Sequence, residues 1–377
     1  MSTLTTRRLL LAAAILAGCA AIISASAGAT APKPFLYWAG DSSNTVGRAN
    51  LGGTGVNATF VTGGQVPCGD IAVTRKYLYW TNYTGKTIAR SKLDGTGVDE
   101  DFISDPGGPC GITAYAGHLY WANYDDNTIG KAKLDGSGVN ESFVAHAGTE
   151  PLGIGAGSGH VYWITYTSQS VGRVSTNGTG ADAAFIPTAG ASGYGVAVDA
   201  HHVYWSNYDN KAIGRANLDG TQADSMWLPV TNYTTGVKVT TSHIYWGEDA
   251  NGTIGRAALN GTGVDESFIP NAGENYGLGI SAPHTKTALA VPATARAGRN
   301  VTYTATVTPL PDGGTVTFMA NGYPLKGCNA KAINIVTGKG KCLAHAMAPG
   351  QFAIQAVYSG DDSFLGSTSA KHKQTVK

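Results

Sequence analysis

The feature that most constrains the fold is a tyrosine-tryptophan pair that recurs six times, always after an apolar residue. Successive tryptophans lie 42, 41, 42, 42 and 41 residues apart. A fixed period of about 40–45 residues is typical of an array of supersecondary units, each built from four strands. The six copies are Leu36-Tyr37-Trp38, Leu78-Tyr79-Trp80, Leu119-Tyr120-Trp121, Val161-Tyr162-Trp163, Val203-Tyr204-Trp205 and Ile244-Tyr245-Trp246.

Each repeat predicts four antiparallel strands. A short apolar run after glycine precedes the Tyr-Trp run, which is followed by a Gly-Arg/Lys run and by a run ending in Phe-Ile or Phe-Val. Turns rich in Asp, Asn and Gly, such as Leu93-Asp94-Gly95, separate the third run from the fourth. Asp-Gly tolerates positive φ and closes tight hairpins, and β-branched and aromatic runs between such turns indicate strands.

The phrase Tyr-Trp-x-Asn … Ile-Gly-Arg-Ala-x-Leu-Asp-Gly resembles the YWTD repeat of low-density-lipoprotein-receptor-type proteins. The resemblance covers roughly residues 35 to 281 and implies a six-bladed β-propeller. This chain departs from the family at the Asp, so any hydrogen bond that the Asp makes is expected to be made differently here. The residues at that position are Gly40, Asn82, Asn123, Thr165, Asn207 and Glu248.

The order of the strand signals also predicts how the propeller closes. No inner-strand phrase precedes Leu36, yet Tyr276-Gly277-Leu278-Gly279-Ile280 supplies one after the sixth repeat. We expect this late segment to complete the first blade, because joining the two ends removes the open edge of a strand array. The predicted fold is therefore all-β, with a closed propeller over residues 32–283.

Residues 284–377 lack the Tyr-Trp pair and read as short alternating strands, for example at 301–307 and 352–358. Such strands over this length suit an immunoglobulin-like β-sandwich. The phrase at 356–364 resembles the end of bacterial immunoglobulin-like repeat domains, and the resemblance implies a spacer or surface-presentation module.

The N-terminus predicts export. Arg7-Arg8 precedes an apolar stretch at 9–23 and a small-residue run to Ala31, the pattern of a signal peptide over residues 1–31. The segment 6–11 resembles a twin-arginine export signal, with the ordinary secretory route as the alternative. Leu16-Ala17-Gly18-Cys19 resembles a lipobox, so Cys19 is either a lipid anchor or is removed with the signal. No other segment approaches the ~20 apolar residues of a membrane span, which predicts a secreted or envelope-associated protein.

Four further cysteines suit disulfides in an exported chain. Cys68 and Cys110 each lie between proline and glycine at matching positions of neighbouring repeats, which favours a bridge between two blades over reactive thiols. Cys328 and Cys342 would close a loop between adjacent strands of the C-terminal domain.

Composition argues against several functional classes. Only 14% of residues are charged, the net charge is +1 and no run of like charge occurs, so no nucleic acid or anionic membrane is predicted as a partner. No nucleophile elbow, phosphate loop or zinc spacing is present, so no catalytic residue, metal or cofactor is predicted. Two regular series are interpreted as structural blade positions: His118, His160, His202 and His243, and Arg48, Arg90, Lys131, Arg173, Arg215 and Arg256.

The candidate ligand-binding residues flank the strands on one face. One set of tyrosines begins the loops after the second strand and another ends the loops into the first strand, and both loop sets fall on one face because strands alternate in direction. Such aromatic and amide side chains suit a protein or glycan ligand, and inter-blade packing is the alternative. The residues are Tyr83, Tyr124, Tyr166, Tyr208, Tyr194, Tyr233, Tyr276, Asn82, Asn123 and Asn207.

Acidic residues also lie in loops of this face, but they match no calcium-loop spacing. They are Asp41, Asp125, Asp126, Asp209 and Asp249.

The sequence thus predicts an exported, monomeric, non-enzymatic binding protein. The alternative is a propeller enzyme, a lyase or hydrolase acting on carbohydrates or lactones around a central metal. The inner-strand segments offer Asp70 as the one candidate ligand for such an ion.

Overall fold

A computed structural model describes residues 34–40, 44–62, 68–104, 106–188, 192–240, 242–249, 251–273, 275–281, 285–308, 311, 313–344, 348–360 and 366–377. The predicted signal peptide, with Cys19, and the loop residue Asp41 lie outside these ranges.

The repeat region forms six four-stranded antiparallel sheets, the blades of a β-propeller, as the repeat predicts. Blade 1 comprises β24 (Gly277–Ile280), β1 (Phe35–Gly40), β2 (Thr45–Asn50) and β3 (Asn57–Thr62); blade 2 comprises β4 (Ala72–Val73), β5 (Tyr77–Asn82), β6 (Thr87–Lys92) and β7 (Asp99–Ser104); blade 3 comprises β8 (Pro109–Tyr115), β9 (His118–Asn123), β10 (Thr128–Lys133) and β11 (Asn140–Val144). Blade 4 comprises β12 (Pro151–Gly157), β13 (His160–Thr165), β14 (Ser170–Ser175) and β15 (Asp182–Pro187); blade 5 comprises β16 (Val196–Val198), β17 (His202–Asn207), β18 (Ala212–Asn217) and β19 (Asp224–Pro229); blade 6 comprises β20 (Thr234–Val239), β21 (His243–Glu248), β22 (Thr253–Ala258) and β23 (Asp265–Ile269).

Blade 1 is assembled from both ends of the repeat region. β24 pairs antiparallel with β1, with Leu36 opposite Ile280 and Ala39 opposite Gly277. At the end of this pair the amide of Phe35 donates to Ser281 Oγ at 2.6 Å, and the amide of Ser281 donates to the Phe35 carbonyl at 2.9 Å. The late inner strand thus takes the place that the sequence predicts for it.

The Tyr-Trp pair forms the cores between the blades. Successive side chains of a strand point to opposite faces, so the tyrosine and the tryptophan of each pair enter different inter-blade cores. Tyr37 of blade 1 packs in one cluster with Trp80 of blade 2, and Tyr245 of blade 6 packs in one cluster with Trp38 of blade 1. The six tryptophans of the pairs are at most 1% exposed. The regular spacing of the repeat therefore places one tyrosine and one tryptophan in every inter-blade core.

The members of the two regular series contact aromatic rings of their own blades. The Arg256 guanidinium lies 3.9 Å from the ring centroid of Phe268, and that of Arg173 lies 3.7 Å from Phe185. The His118 ring lies 6.2 Å from the Tyr120 ring of the same strand. The two guanidinium groups thus lie on outer aromatic rings of their blades, whereas the histidine lies beside the buried tyrosine of its own strand.

A collar of glycine surrounds the propeller axis. Glycine precedes the residue opposite tryptophan on five inner strands: Gly111, Gly153, Gly195, Gly236 and Gly277. An added Cβ on Gly153 would lie 2.4 Å from the Tyr194 carbonyl, and one on Gly277 would lie 1.7 Å from the Gly69 carbonyl. Neighbouring inner strands therefore meet at backbone distance, which a larger side chain would prevent.

Asp70 takes the glycine position on blade 2. Ala72 is opposite Tyr79, which places Ile71 opposite Trp80 and Asp70 in the collar. Compared with blade 3, this segment has one additional residue, Gly69, between its cysteine and the collar position. Gly69 has a φ of +77°. Asp70 is fully buried, 2.8 Å from Lys238 Nζ of blade 6, and accepts from the Leu278 amide of blade 1 at 3.2 Å. Burial raises the pKa of Asp70, against the opposing effects of Lys238 and of the backbone of Leu278 and Ile154.

The C-terminal region forms a two-sheet sandwich. Its strands are β25 (Lys286–Ala290), β26 (Thr294–Ala295), β27 (Val301–Thr308), β28 (Thr315–Ala320), β29 (Tyr323–Pro324), β30 (Lys331–Ala332), β31 (Lys339–Ala344), β32 (Gly350–Tyr358), β33 (Ser367–Thr368) and β34 (His372–Val376). One sheet has the order β25-β27-β31 and the other has the order β26-β34-β32-β28-β29. Tyr303, Phe318 and Ile354 pack between them, and Cys328 and Cys342 form the predicted disulfide.

The described residues contain no helix long and apolar enough to cross a membrane.

Candidate ligand-binding face

Seven tyrosines lie along one face of the propeller, in the loops where the sequence predicts them. Tyr83, Tyr124, Tyr166 and Tyr208 directly follow β5, β9, β13 and β17. Tyr194, Tyr233 and Tyr276 come shortly before β16, β20 and β24. We call these seven residues the tyrosine face. Because β24 runs from Gly277 beside Tyr276 to Ile280, the chain leaves the propeller on the opposite face.

Ring contacts link these tyrosines across blades. Tyr83 and Tyr124 meet edge to face with centroids 6.0 Å apart, and Tyr166 meets Tyr194 at 5.8 Å. Tyr194 lies 4.9 Å from Tyr208 and 5.9 Å from Tyr276. Tyr208 and Tyr233 stack at 4.7 Å with an interplanar angle of 23°. The tyrosines therefore form two groups of contacting rings, a pair in blades 2 and 3 and a group of five from blade 4 to blade 1.

A pocket of about 360 Å3 opens into the tyrosine face. Tyr83, Tyr124, Tyr166 and Tyr194 form its walls together with Leu152 and the two cysteines of the inner strands. Cys68 and Cys110 are joined by a disulfide, with Cα atoms 4.5 Å apart, which confirms the predicted bridge between two blades. The Thr81 hydroxyl lies within hydrogen-bonding distance of the carbonyls of both cysteines and holds this part of the pocket in place.

The sequence predicted a purely structural role for the disulfide, and Leu152 was not among the candidate ligand-binding residues. Both belong to one repeat position, the residue directly before the inner-strand glycine, which is also the position of Tyr194 and Tyr276. That shared position lies next to the axis, and it is the signal that would have placed Cys110 and Leu152 in the pocket.

Carboxylates accept hydrogen bonds from the tyrosine hydroxyls at the rim of this face. Tyr83 donates to Asp125 Oδ1 at 2.8 Å. Tyr208 and Tyr276 donate to the two oxygens of Asp249, at 2.8 and 3.2 Å. Asp209 instead accepts from the amide of Ser192 at 2.9 Å. The acidic residues therefore orient rings and loops, each at its own place on the face.

The hydroxyls of Tyr83, Tyr124 and Tyr194 stay protonated at neutral pH. Burial, and secondarily the Glu150 carboxylate, raises the pKa of Tyr124 to about 12. Burial also raises the pKa of Tyr194, while the hydrogen bond to Asp125 is the largest cause of the raised pKa of Tyr83. Each hydroxyl is therefore a neutral donor and acceptor beside an apolar ring, an arrangement suited to ligands with mixed apolar and polar surface.

The three asparagines predicted to share this face do not reach its surface. Asn82, Asn123 and Asn207 are the last residues of their strands and are 0% exposed. Asn82 Nδ2 donates to Glu100 Oε2 on the fourth strand of its own blade at 2.9 Å, and Asn207 Nδ2 donates to the Ser225 carbonyl at 2.8 Å. Their predicted role in ligand binding is therefore corrected: their amides join the second strand to the fourth.

A central metal site has no ligand set in the described part of the chain. No group of three or more His, Cys, Asp or Glu side chains with metal-binding geometry occurs there. Asp70, the candidate from the sequence, is paired with Lys238 and belongs to the collar.

Comparison with known proteins supports the fold in two parts. Residues 287–377 match the family model described as "Bacterial Ig-like domain (group 3)". No curated protein matches the chain in sequence. Among solved structures, the nidogen/laminin complex contains a chain that aligns with a TM-score of 0.59 and 19% identity, covering 66% of this chain and 98% of that one.

A lyase is also among the similar structures. Virginiamycin B lyase from Staphylococcus aureus aligns with a TM-score of 0.47 and 18% identity, covering 63% of this chain and 81% of that one. The likeness to the chain of the nidogen/laminin complex describes the fold of the propeller alone.

Proposed function

We propose that this chain, a β-propeller followed by a bacterial Ig-like domain, is an exported, non-enzymatic binding protein whose tyrosine face takes a protein or glycan ligand. The observation that carries the proposal is a pocket on this face whose walls combine two groups of contacting rings, Tyr83 with Tyr124 and Tyr166 with Tyr194. The two disulfides and the bacterial Ig-like domain are consistent with an extracellular location.

The chemistry of the face fits such a ligand. Tyrosine supplies a rigid apolar ring and a polar tip at little cost in side-chain entropy, which is why it is enriched at recognition surfaces. The Lys211 ammonium lies 4.7 Å from the Tyr233 ring centroid, so this surface already accommodates a cation from its own chain. Sugar rings and apolar or basic side chains of a protein would make the same kinds of contact.

The mature N-terminus decides how the protein is held outside the cytoplasm. A lipid on Cys19 would anchor it to the envelope, whereas cleavage near residue 31 would release it. Mass spectrometry of the N-terminal peptide of the exported protein distinguishes the two.

Substitution of pocket tyrosines tests the proposal. After a screen of the exported protein against glycan arrays and cell-surface proteins, Tyr124→Ala and Tyr166→Ala should each weaken capture of the best ligand by about tenfold, the scale of an interface hot spot. Tyr166→Phe should retain most of the binding, because the ring contact with Tyr194 remains.

His118→Ala, at the start of β9 on the opposite face, is the matched control and should bind normally. Unfolding temperatures should stay close to that of the unchanged protein for all four variants. Loss of binding only in proportion to loss of folding, or an equal loss in the His118 variant, would show that the tyrosines serve packing alone.

A further inference from the structure

The near-neutral net charge of the whole chain conceals two domains of opposite sign. Residues 34–281 carry 13 Lys and Arg against 22 Asp and Glu, a net charge of −9. Residues 285–377 carry 10 Lys and Arg against 3 Asp and no Glu, a net charge of +7. A domain of this size with such an excess generates a positive potential that attracts polyanions. A count over the whole sequence does not reveal it.

Lysines are brought together on the outer face of the three-stranded sheet. Lys339 and Lys341 are alternate, exposed residues of β31, and Thr306 and Thr304 lie opposite them on β27. Lys286 lies on the same face of β25, opposite Thr308. The threonines therefore form a row of hydroxyl groups on the middle strand β27, with Lys286 on one side and Lys339 and Lys341 on the other. Adjacent strands are about 4.8 Å apart. We call this surface the lysine face.

A shallow depression of about 540 Å3 adjoins the lysine face. Lys339, Lys341, Asn334 and Thr337 line it, so two ammonium groups lie beside amide and hydroxyl groups. In the described part of the chain these lysines take part in no salt bridge, and the described residues of this domain include no acidic side chain. All three lysines are exposed to solvent.

We propose that the lysine face binds a linear polyanion of the cell envelope, a polymer that carries repeated phosphate or carboxylate groups. The ammonium groups would pair with successive anionic groups while the threonine and asparagine side chains hydrogen-bond to the intervening units. Because the chain leaves the propeller opposite the tyrosine face, this contact holds the protein by its basic domain and leaves the tyrosine face open. The proposal does not depend on what the tyrosine face binds.

Binding of defined polymers to the exported protein tests this. Fluorescently labelled polyphosphate and polygalacturonate represent the phosphate and carboxylate sources, and neutral dextran is the polymer control. We expect saturable binding of at least one polyanion in 50 mM salt, weakened severalfold in 200 mM salt because counterion release drives it. Lys339→Gln/Lys341→Gln should raise the Kd by about tenfold, the order expected for two lysines at an anionic surface.

A charge-matched control is available on the propeller. Lys92→Gln/Lys133→Gln removes two exposed lysines, the last residues of β6 and β10. It should change the Kd for the polyanion by less than twofold. Equal weakening by both double variants, equal binding of dextran, or no binding of either polyanion would overturn the proposal.

The lysines of β31 also lie on an outer strand, where charge discourages pairing with other chains. Light scattering of the same variants separates that role. A Gln variant that self-associates and still binds polyanion as well as the unchanged protein would show that these lysines only protect the strand edge.

Discussion

The third strand of most blades carries a glycine beneath the tryptophan of the second strand. An added Cβ on Gly172 would lie 2.3 Å from Cε2 of Trp163, well inside van der Waals contact. The indole thus lies across a backbone that has no side chain at that point, and Trp163 Nε1 donates to the Ala147 carbonyl at 2.6 Å. The repeat phrase Gly-Arg encodes this contact, with the cation of the next residue placed on the outer aromatic ring.

We expect Gly172→Ala to destabilise the protein by about 1–3 kcal/mol, because the methyl group overpacks a core that is already filled. Gly52→Ala is the matched control, since a Cβ there meets no atom within 4 Å and Gly52 has no positive φ. It should change stability by less than about 0.5 kcal/mol. Urea unfolding of both variants measures the difference, and equal midpoints would mean that Trp163 moves aside without cost.

At the scale of the blade, the Asn that follows the Tyr-Trp pair in blades 2 and 3 faces a carboxylate of the fourth strand. Asn123 Nδ2 donates to Glu141 Oε2 at 3.1 Å and Asn82 contacts Glu100 in the same way, so an Asp here would face a carboxylate. In blade 6 the second strand carries Glu248 instead, and Asn232 donates to both Glu248 and Glu266. Burial, and to a lesser extent Glu266, raises the pKa of Glu248.

Asn123→Asp should therefore destabilise the protein by several kcal/mol at pH 7, because it buries two like charges in contact. Like charge and burial raise the folded pKa values of the pair above the unfolded ones. The stability of this variant is consequently retained at low pH and lost as the pH rises through the folded pKa. Its deficit in melting temperature should shrink between pH 7 and pH 5.

Asn207→Asp is the control for this prediction, since its partner is the carbonyl of Ser225 and not a side-chain carboxylate. It should be destabilised less, and with a weaker dependence on pH. The same deficit in both variants at both pH values would contradict the role assigned to Glu141.

The sequence predicted those features of the propeller that follow from the regular spacing of its repeats. Strand number, inter-blade cores and the pairing of Cys68 with Cys110 follow because equivalent repeat positions occupy equivalent places. It misplaced Asn82, Asn123 and Asn207, because nothing in a single repeat shows that the second strand continues through them and is covered by the fourth. It also did not reveal the ring contacts of Tyr194, which depend on the rotation between blades.

At the scale of the whole molecule, Asp70 connects blades that are distant in sequence. Its carboxylate reaches Lys238 of blade 6 and the Leu278 amide of blade 1 from blade 2. The extra residue Gly69 makes this possible, because it shifts a side chain into a collar that elsewhere consists of glycine. A buried ion pair of this kind contributes little net stability, but removal of one partner alone is costly.

Lys238→Met should destabilise the protein by about 3–5 kcal/mol at pH 7, because the Asp70 carboxylate is left buried without a counter-charge. The folded pKa of Asp70 then lies further above the unfolded value of 3.8. The deficit should therefore be greatest at neutral pH and shrink as the pH falls through the folded pKa.

The double variant Asp70→Asn/Lys238→Met removes both charges and should recover most of the loss at pH 7. Chemical unfolding at pH 7 and pH 5 provides the comparison. A double variant as unstable as the single one would show that the aliphatic stem of Lys238, and not its charge, matters at the axis.

The pairing of β1 with β24 also determines how the propeller carries mechanical load. The chain enters at Phe35 and leaves at Ser281, and these two residues are hydrogen-bonded neighbours. Tension between an N-terminal anchor and the C-terminal domain would pass through this single antiparallel contact and bypass the other five blades. Because the pulled ends lie at the same end of the strand pair, the bonds would open one after another, as in a zipper, and blade 1 would be the first to yield.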